Sequence, residues 1–348
     1  MPDAVVIGAG PAGCAAAIAL ARAGRDVMLL ERSPEPRESV CGEFLGPDAA
    51  AALARLGLDP ATLGGAPLRR MRIGHGGREA DVALPFPAWA LPRRLLDGAL
   101  QEAAGPALRR GTTVLGAVPM GEGWRLRTSS GEIEARRIIL ATGKHALRGH
   151  PREGAPPPAI GLKLHLAGVA MADAVALLPF DGGYAGLQPL PGGGANLCAA
   201  LHGPPRGLPG DLLVRVRAGS ALAEALLRDA HPLWDRPLAI AGVPYGFRQP
   251  AAGPPGLYRV GDQAAVIPSF TGEGVALALH SGLAAAEAIL AGQEADTFHA
   301  AWRRRSAGPM RWAGLAAHVL RASPPAFAAL GAVGPLARLV AARTRVAA

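Results

Sequence analysis

The chain has 348 residues, 50% apolar and only 4% aromatic, so alanine, leucine and valine must fill the core of one large or two closely packed domains. Its net charge of +9 suits anionic partners such as a phosphate-bearing cofactor or an acidic acyl carrier protein, but no basic run is interleaved with stacking aromatics, which argues against nucleic acid. Three cysteines without metal-type spacing exclude a disulfide framework and a metal site; with no leader before the first strand and no transmembrane-length apolar run, a reducing cytoplasm is the expected compartment.

Ala4-Val5-Val6-Ile7 reads as an apolar strand. The turn Gly8-Ala9-Gly10-Pro11-Ala12-Gly13, an alanine-rich helix, a second strand over Val27–Leu30 and then Glu31 and Arg32 follow it. That order is what dinucleotide binding requires: Gly8 permits the tight turn, Gly10 lets the backbone approach a pyrophosphate, and Gly13 lets the helix pack on the strand. The helix N-terminus offers free amides to phosphate, and Glu31 stands where a carboxylate would take ribose hydroxyls. This segment by itself leaves NAD and FAD equally open.

Asp48–Leu56 reads as a short helix capped by Asp48 and stopped by Gly57, and Arg70–Val82 alternates as a hairpin. A helix over Pro92–Ala103 precedes strands over Thr112–Val118, Trp124–Thr128 and Glu132–Thr142. The proline-rich crossing from Pro151 to Pro158 leads to antiparallel strands between Ile160 and Leu201, separated by glycine turns, and then to a helix over Leu212–Leu227. Leu257–Val260 is an apolar strand that ends at Gly261-Asp262, and a long helix over Gly274–Leu290 opens a helical C-terminus.

Three segments then fall in the order of one family. Gly261-Asp262-Gln263-Ala264-Ala265, Pro268-Ser269-Phe270-Thr271-Gly272-Glu273-Gly274 and Ser281-Gly282 resemble the second flavin-binding signature of FAD-dependent oxidoreductases. That superfamily groups p-hydroxybenzoate hydroxylase, flavin-dependent halogenases and geranylgeranyl reductases. Thr-Gly-Glu-Gly and Cys41-Gly42-Glu43 look most like the geranylgeranyl reductase branch. Arg93-Arg94-Leu95-Leu96-Asp97 is similar to the family's Arg-x-x-Phe-Asp helix start, and Gly111–Val114 resembles the strand against adenine. The resemblance implies an α/β protein with a Rossmann-like, glutathione-reductase-type FAD domain over 1–150 and 251–295. A mostly antiparallel substrate-covering sheet over 151–250 and C-terminal helices over 296–348 complete it. Asp262 would accept from a ribityl hydroxyl, and the Pro268–Gly274 loop would present amides to the isoalloxazine. One departure concerns the electron source. Where related hydroxylases carry Asp-Gly, this chain reads Ala141-Thr142-Gly143-Lys144, so NAD(P)H or a separate reductase protein stays open.

For the chemistry, strand alternation in Gly161–Leu166 puts Lys163 and His165 on one face, but does not say whether that face is inside. If it faces the flavin, His165 can act as a general base on a phenol, with Lys163 beside it. Cys41 is a flavin-proximal candidate for gating or protonation, and Tyr184 for the cavity wall. Tyr184-Ala185-Gly186-Leu187 departs from the reductases' Tyr-x-Trp-x-Phe-Pro pattern. The Lys163/His165 pair and that departure favour a flavin monooxygenase that hydroxylates an apolar or aromatic small molecule through a peroxyflavin. Thr-Gly-Glu-Gly and Cys-Gly-Glu favour a reductase that passes hydride from flavin N5 to a C=C bond. The balance falls narrowly to hydroxylation. A flavin-binding partner of a carrier protein, without turnover, is a third and weaker reading.

Overall fold

The computed structural model describes residues 1–202, 212–250 and 253–346. The chain opens as β1 (Ala4–Ile7), α1 (Pro11–Arg22) and β2 (Val27–Leu30). There follow β3 (Phe44–Leu45), α2 (Pro47–Arg55), the hairpin β4 (Ala66–His75) and β5 (Arg78–Ala90), α3 (Arg93–Ala103) and β6 (Leu108–Arg109). A meander of β7 (Val114–Met120), β8 (Gly123–Thr128) and β9 (Gly131–Ala135) precedes β10 (Ile138–Leu140). The second half adds β11 (Ala159–Ala167), β12 (Ala174–Phe180), β13 (Gly183–Pro189), β14 (Ala195–Leu201), α4 (Leu212–Ala218) and α5 (Ala221–Leu227). Next come β15 (His231–Pro232), β16 (Leu238–Val243), β17 (Leu257–Arg259) and the helices α6 (Gly274–Leu290), α7 (Ala295–Ala322), α8 (Pro324–Ala332) and α9 (Gly334–Arg343).

Five strands pair in parallel in the order β17-β10-β1-β2-β6. Their short, continuously apolar segments suit a sheet covered on both faces. On one face α1 packs against α6, so closely that a Cβ at Gly282 would stand 2.1 Å from the Ala12 carbonyl oxygen. The β7-β8-β9 meander, carrying the buried Trp124, joins the core of the other face. The third sheet has nine strands in the order β15-β11-β14-β13-β12-β4-β5-β3, with β16 also paired to β11. It is antiparallel except where β12 meets β4, as the expected α/β architecture with a mostly antiparallel sheet requires. This sheet takes strands from both sides of residue 151: the Phe44–Ala90 segment, which the sequence division assigns to the FAD region, pairs with strands from the second region. Among the described residues no single helix is long and apolar enough to cross a membrane.

Four local expectations are corrected. Glu132–Thr142 is not one strand but two, β9 and β10, in different sheets. The half-buried alternation of 131–135 suits the exposed meander, the fully buried 138–140 suits the parallel sheet, and Arg136-Arg137 marks the break. Leu212–Leu227 is two helices, because the chain turns at Gly219 and Ser220 caps α5 by accepting the Ala223 amide at 3.1 Å. Gly46, not Asp48, is the N-cap of α2; Asp48 lies in the first turn and accepts the Val346 amide at 3.0 Å. The hairpin runs well beyond 70–82, from Ala66 to Ala90. Pro85 and Pro87 are tolerated because they fall where the β4–β5 register shifts, between Ala83 and Ala88, and because β5 pairs with β3 only at Trp89 and Ala90.

Candidate functional site

One cavity of about 980 Å³ runs from the carboxyl ends of β1 and β2, across the nine-stranded sheet, to α7–α9. At its first end Gly8 sits at a φ of 103°, and a Cβ at Gly13 would lie 1.9 Å from the Gly8 carbonyl oxygen, so the turn and helix can approach only as glycines. The N-terminus of α1 has Pro11 at its start and no side-chain cap, and a Cβ at Gly10 would meet nothing closer than Arg93 at 3.8 Å, leaving the helix end open to the cavity. Glu31 shapes the far side of this turn by accepting the Ala9 amide and the Ser33 amide, each at 2.9 Å. Pro11, Ala12, Arg32 and Val114 line the same end, whereas Gly13 sits behind it as a packing contact.

In the middle of the cavity the Cys41–Glu43 turn is clamped from both sides. Glu43 is a non-glycine residue at a φ of 62°, a conformation the surrounding bonds must enforce. Its carboxylate accepts the Arg93 amide at 2.7 Å and the Lys163 ammonium at 2.5 Å, while its second oxygen lies 3.5 Å from His165 Nε2. Asn196 donates to the Cys41 and Gly42 carbonyls at 3.2 and 3.1 Å, and the Glu43 amide donates to the Cys41 sulfur at 3.3 Å. Burial would raise the Glu43 carboxyl, but the neighbouring His165 and the charge and hydrogen bond of Lys163 outweigh it and hold the group below the ordinary carboxylate value. Burial likewise opposes the Lys163 charge, yet Glu43 and Glu38 (2.6 Å away) raise its pKa. The ligand atoms of Glu38, Glu43 and His165 lie within metal-binding reach of one another, and the Lys163 ammonium bonded to both carboxylates supplies the positive charge there.

The alternation of Lys163 and His165 is thus resolved. Both are on the inner side of β11, the side on which Gly161 reaches the cavity, and Lys163 is fully buried. Neither lines the cavity, however. Lys163 is taken up by two carboxylates and His165 stacks on Trp234 with ring centroids 4.4 Å apart, so the shared face is the inner one but the pair does not line the substrate space. Cys41, Gly42 and Tyr184 do line it.

At the flavin-signature loop, Ser281 accepts the Gly261 amide at 2.7 Å and so ties the Gly-Asp turn to α6. Asp262 lies 3.3 Å from Lys144, whose pKa it raises, so the cation that follows Gly143 balances this acid at the cavity wall. Gly143 itself is fixed by Gln263 and Arg152, which donate to its carbonyl at 2.7 and 3.0 Å. Thr271, Gly272, Glu273 and Gly274 line the cavity; Pro268 lies behind them and accepts from the Thr271 hydroxyl at 2.9 Å. Glu273 is 3% exposed, and burial together with the nearby Asp48 pushes its pKa up to about 8, with Arg345 opposing. Arg93, also on the cavity, is bonded to Asp97 at 2.9 and 3.0 Å.

Several residues here carry no sequence signal of their own. Glu38, Asn196 and Trp234 matter only through partners distant in the chain: Lys163, the Cys41–Gly42 carbonyls and His165. Tyr245, likewise without a signal, and Ser269 of the flavin signature meet Tyr184 on one cavity wall, with Ser269 Oγ 2.7 Å from the Tyr184 hydroxyl and 3.0 Å from that of Tyr245. Gln188 shares the cavity-facing side of β13 with Tyr184 and Gly186, is 2% exposed, and has neither amide atom hydrogen-bonded. Cys198 lines the cavity opposite Gly186, with its thiol pushed up to about 12 by burial.

The residues present fit FAD. The open helix end and glycine turn make a cradle for a pyrophosphate, and the tied Gly261–Gly274 region, whose Gly261 packs beside Ala12, makes a second cradle along the same cavity.

A family model described as FAD dependent oxidoreductase matches residues 3–42. The chain is 30% identical over 346 residues to a menaquinone reductase of Mycolicibacterium smegmatis, which covers 86% of this chain and 79% of that protein. It is 29% identical to digeranylgeranylglycerophospholipid reductase 2 of Methanopyrus kandleri, covering 87% and 80% respectively. Among solved structures, flavin-dependent brominase Bmp2 superposes with a TM-score of 0.81 at 21% identity, over 99% of this chain and 94% of that one, which shows a shared fold.

Proposed function

This chain belongs to the FAD-dependent oxidoreductases of the geranylgeranyl reductase-like superfamily, and from that premise we propose that it reduces a carbon–carbon double bond in a lipophilic substrate such as a quinone with an unsaturated side chain. The observation that carries this reading is the match along most of the chain to proteins named as reductases of isoprenoid lipids and of a quinone. The cavity is consistent with it: beyond the flavin-signature loop it continues along Met71, Ile73, Leu177 and Phe327 to Leu315 and Leu330 of the C-terminal helices, an apolar path for a long molecule. Of the two arguments for hydroxylation, the one from Lys163 and His165 is weakened, because both are engaged with the Cys41–Glu43 turn; the departure at Tyr184–Leu187 stands.

FAD, when bound, supplies the hydride. The chain's own residues do the rest. The Gly8–Gly13 turn and the α1 N-terminus would hold the pyrophosphate of FAD, and Glu31 would take its ribose hydroxyls. Lys163, Glu38, Glu43 and Asn196 fix the Cys41–Gly42 turn against the cavity. Glu273, kept protonated at neutral pH, holds a proton at the cavity wall that reduction of a double bond would need. The electron donor, NAD(P)H or a separate protein, is part of the same proposal, with Lys144 and Arg152 as cationic groups near the cavity rim.

The test is anaerobic incubation of the FAD-loaded protein, reduced with dithionite, with a geranyl-substituted 1,4-naphthoquinone. A product heavier by two hydrogens in the side chain is expected. A product heavier by one oxygen, formed only in air, would instead establish hydroxylation.

A further inference from the structure

Tyr184, Tyr245 and Ser269 bring three hydroxyl groups together on the cavity wall, next to the flavin-signature loop. The Tyr245 hydroxyl donates to Ser269 Oγ at 3.0 Å, and a second bond of 2.7 Å joins Ser269 Oγ to the Tyr184 hydroxyl in one direction or the other. Three hydroxyls carry three protons, and two internal bonds use two of them. If Tyr184 donates to Ser269, the serine proton is left over; if Ser269 donates to Tyr184, the tyrosine proton is left over. Among the described residues no further acceptor is bonded to either group. The surroundings do not supply one: Ile73, Leu177 and Ala200 pack at Tyr184, and Phe270 meets its ring edge-on at 5.9 Å. Ser269 is exposed toward the cavity, so water meets the spare proton there until an oxygen of a bound molecule replaces it.

We propose that the Tyr184–Ser269–Tyr245 cluster donates this remaining hydrogen bond to an oxygen atom of the substrate, so that the site selects apolar molecules with one such acceptor, a quinone carbonyl or its like. This rests on the reductase reading for the substrate's apolar body, but the donor count stands on the geometry alone. The cluster positions the substrate. It does not take part in bond making. Tyr184 is 4% exposed and held by packing, and Ser269 is exposed toward the cavity, so the donor is presented from a fixed wall.

The experiment measures the Kd of geranyl-1,4-naphthoquinone and of geranylnaphthalene, which lacks the oxygens, by fluorescence quenching of the FAD-loaded protein. The wild type is expected to prefer the quinone by tenfold or more. The Tyr184→Phe/Ser269→Ala/Tyr245→Phe triple variant removes all three hydroxyl protons and is expected to bring the two affinities within threefold of each other, mainly by weakening the quinone. Tyr245→Phe removes one proton and one internal bond together, and so is expected to keep most of the preference. FAD stoichiometry and the flavin absorption spectrum report whether each variant is folded. Equal weakening of both ligands, a wild type without preference, or a shifted flavin spectrum with unchanged quinone affinity would each overturn the proposal, the last by assigning the donor to the flavin. A wild type that binds the quinone selectively yet reduces no double bond would sink the reductase reading and leave this one standing. If the triple variant does not load FAD, the wild-type comparison decides alone, and a preference for the quinone below threefold overturns the proposal.

Discussion

Glu273 stands within the Thr-Gly-Glu-Gly wording that the sequence singles out, yet its state depends on residues far from it in the chain. Burial and Asp48 raise its pKa from the ordinary 4.5 to about 8, with Arg345 acting the other way. Between those values the folded chain holds a proton that the unfolded chain has released, so stability falls as pH rises through this window, by up to about 1.4 kcal/mol per pH unit. Glu273→Gln should remove that slope, read as the difference in urea-unfolding free energy between pH 5.5 and pH 7.5 in wild type and variant. Equal slopes in the two proteins would mean that Glu273 is not protonated in the fold. Lys163 and His165 teach the same lesson from the other side. Period two places both on one face of a strand, but which groups meet them there was fixed by Glu38 and Glu43, more than a hundred residues earlier.

At the scale of elements, apolar runs bounded by glycine were legible where one element has one set of partners. β1, α1, β2 and α6 fall where the sequence places them. Segments that change partners were not: β9 and β10 read as one strand, and α4 and α5 as one helix, because a propensity carries no record of which sheet or face a residue joins. The α4–α5 break is enforced by packing, since a Cβ at Gly219 would lie 2.6 Å from the Pro179 carbonyl oxygen. Ser220 then supplies the cap that starts α5. Ser220→Ala should cost about 1 kcal/mol, measured as a lowered urea midpoint at unchanged m-value. A change within error would show that α5 is held by its apolar face alone.

For the whole molecule, the cavity is lined by the parallel sheet, the nine-stranded sheet and the C-terminal helices together, so FAD should stabilise the fold as a unit. At a hundred times its Kd, FAD is expected to add about 2.7 kcal/mol to the unfolding free energy. Gly13→Ala would put a Cβ 1.9 Å from the Gly8 carbonyl oxygen, spread the phosphate turn and abolish that gain; a full FAD-induced shift in the variant would show that the close approach does not shape the turn. The sequence by itself determined the dinucleotide turn, the flavin signature and the α/β class, because those depend on local spacing: glycines at fixed offsets, an acid past a strand end, and a helix that follows. Only the tertiary structure decided that Phe44–Ala90 joins the covering sheet, that Lys163 serves a buried turn and not the substrate, and that Tyr184, Ser269 and Tyr245 share one wall. The physical reason is that strand pairing, burial and hydrogen-bond partnership are made between residues distant in sequence, and no local period encodes them.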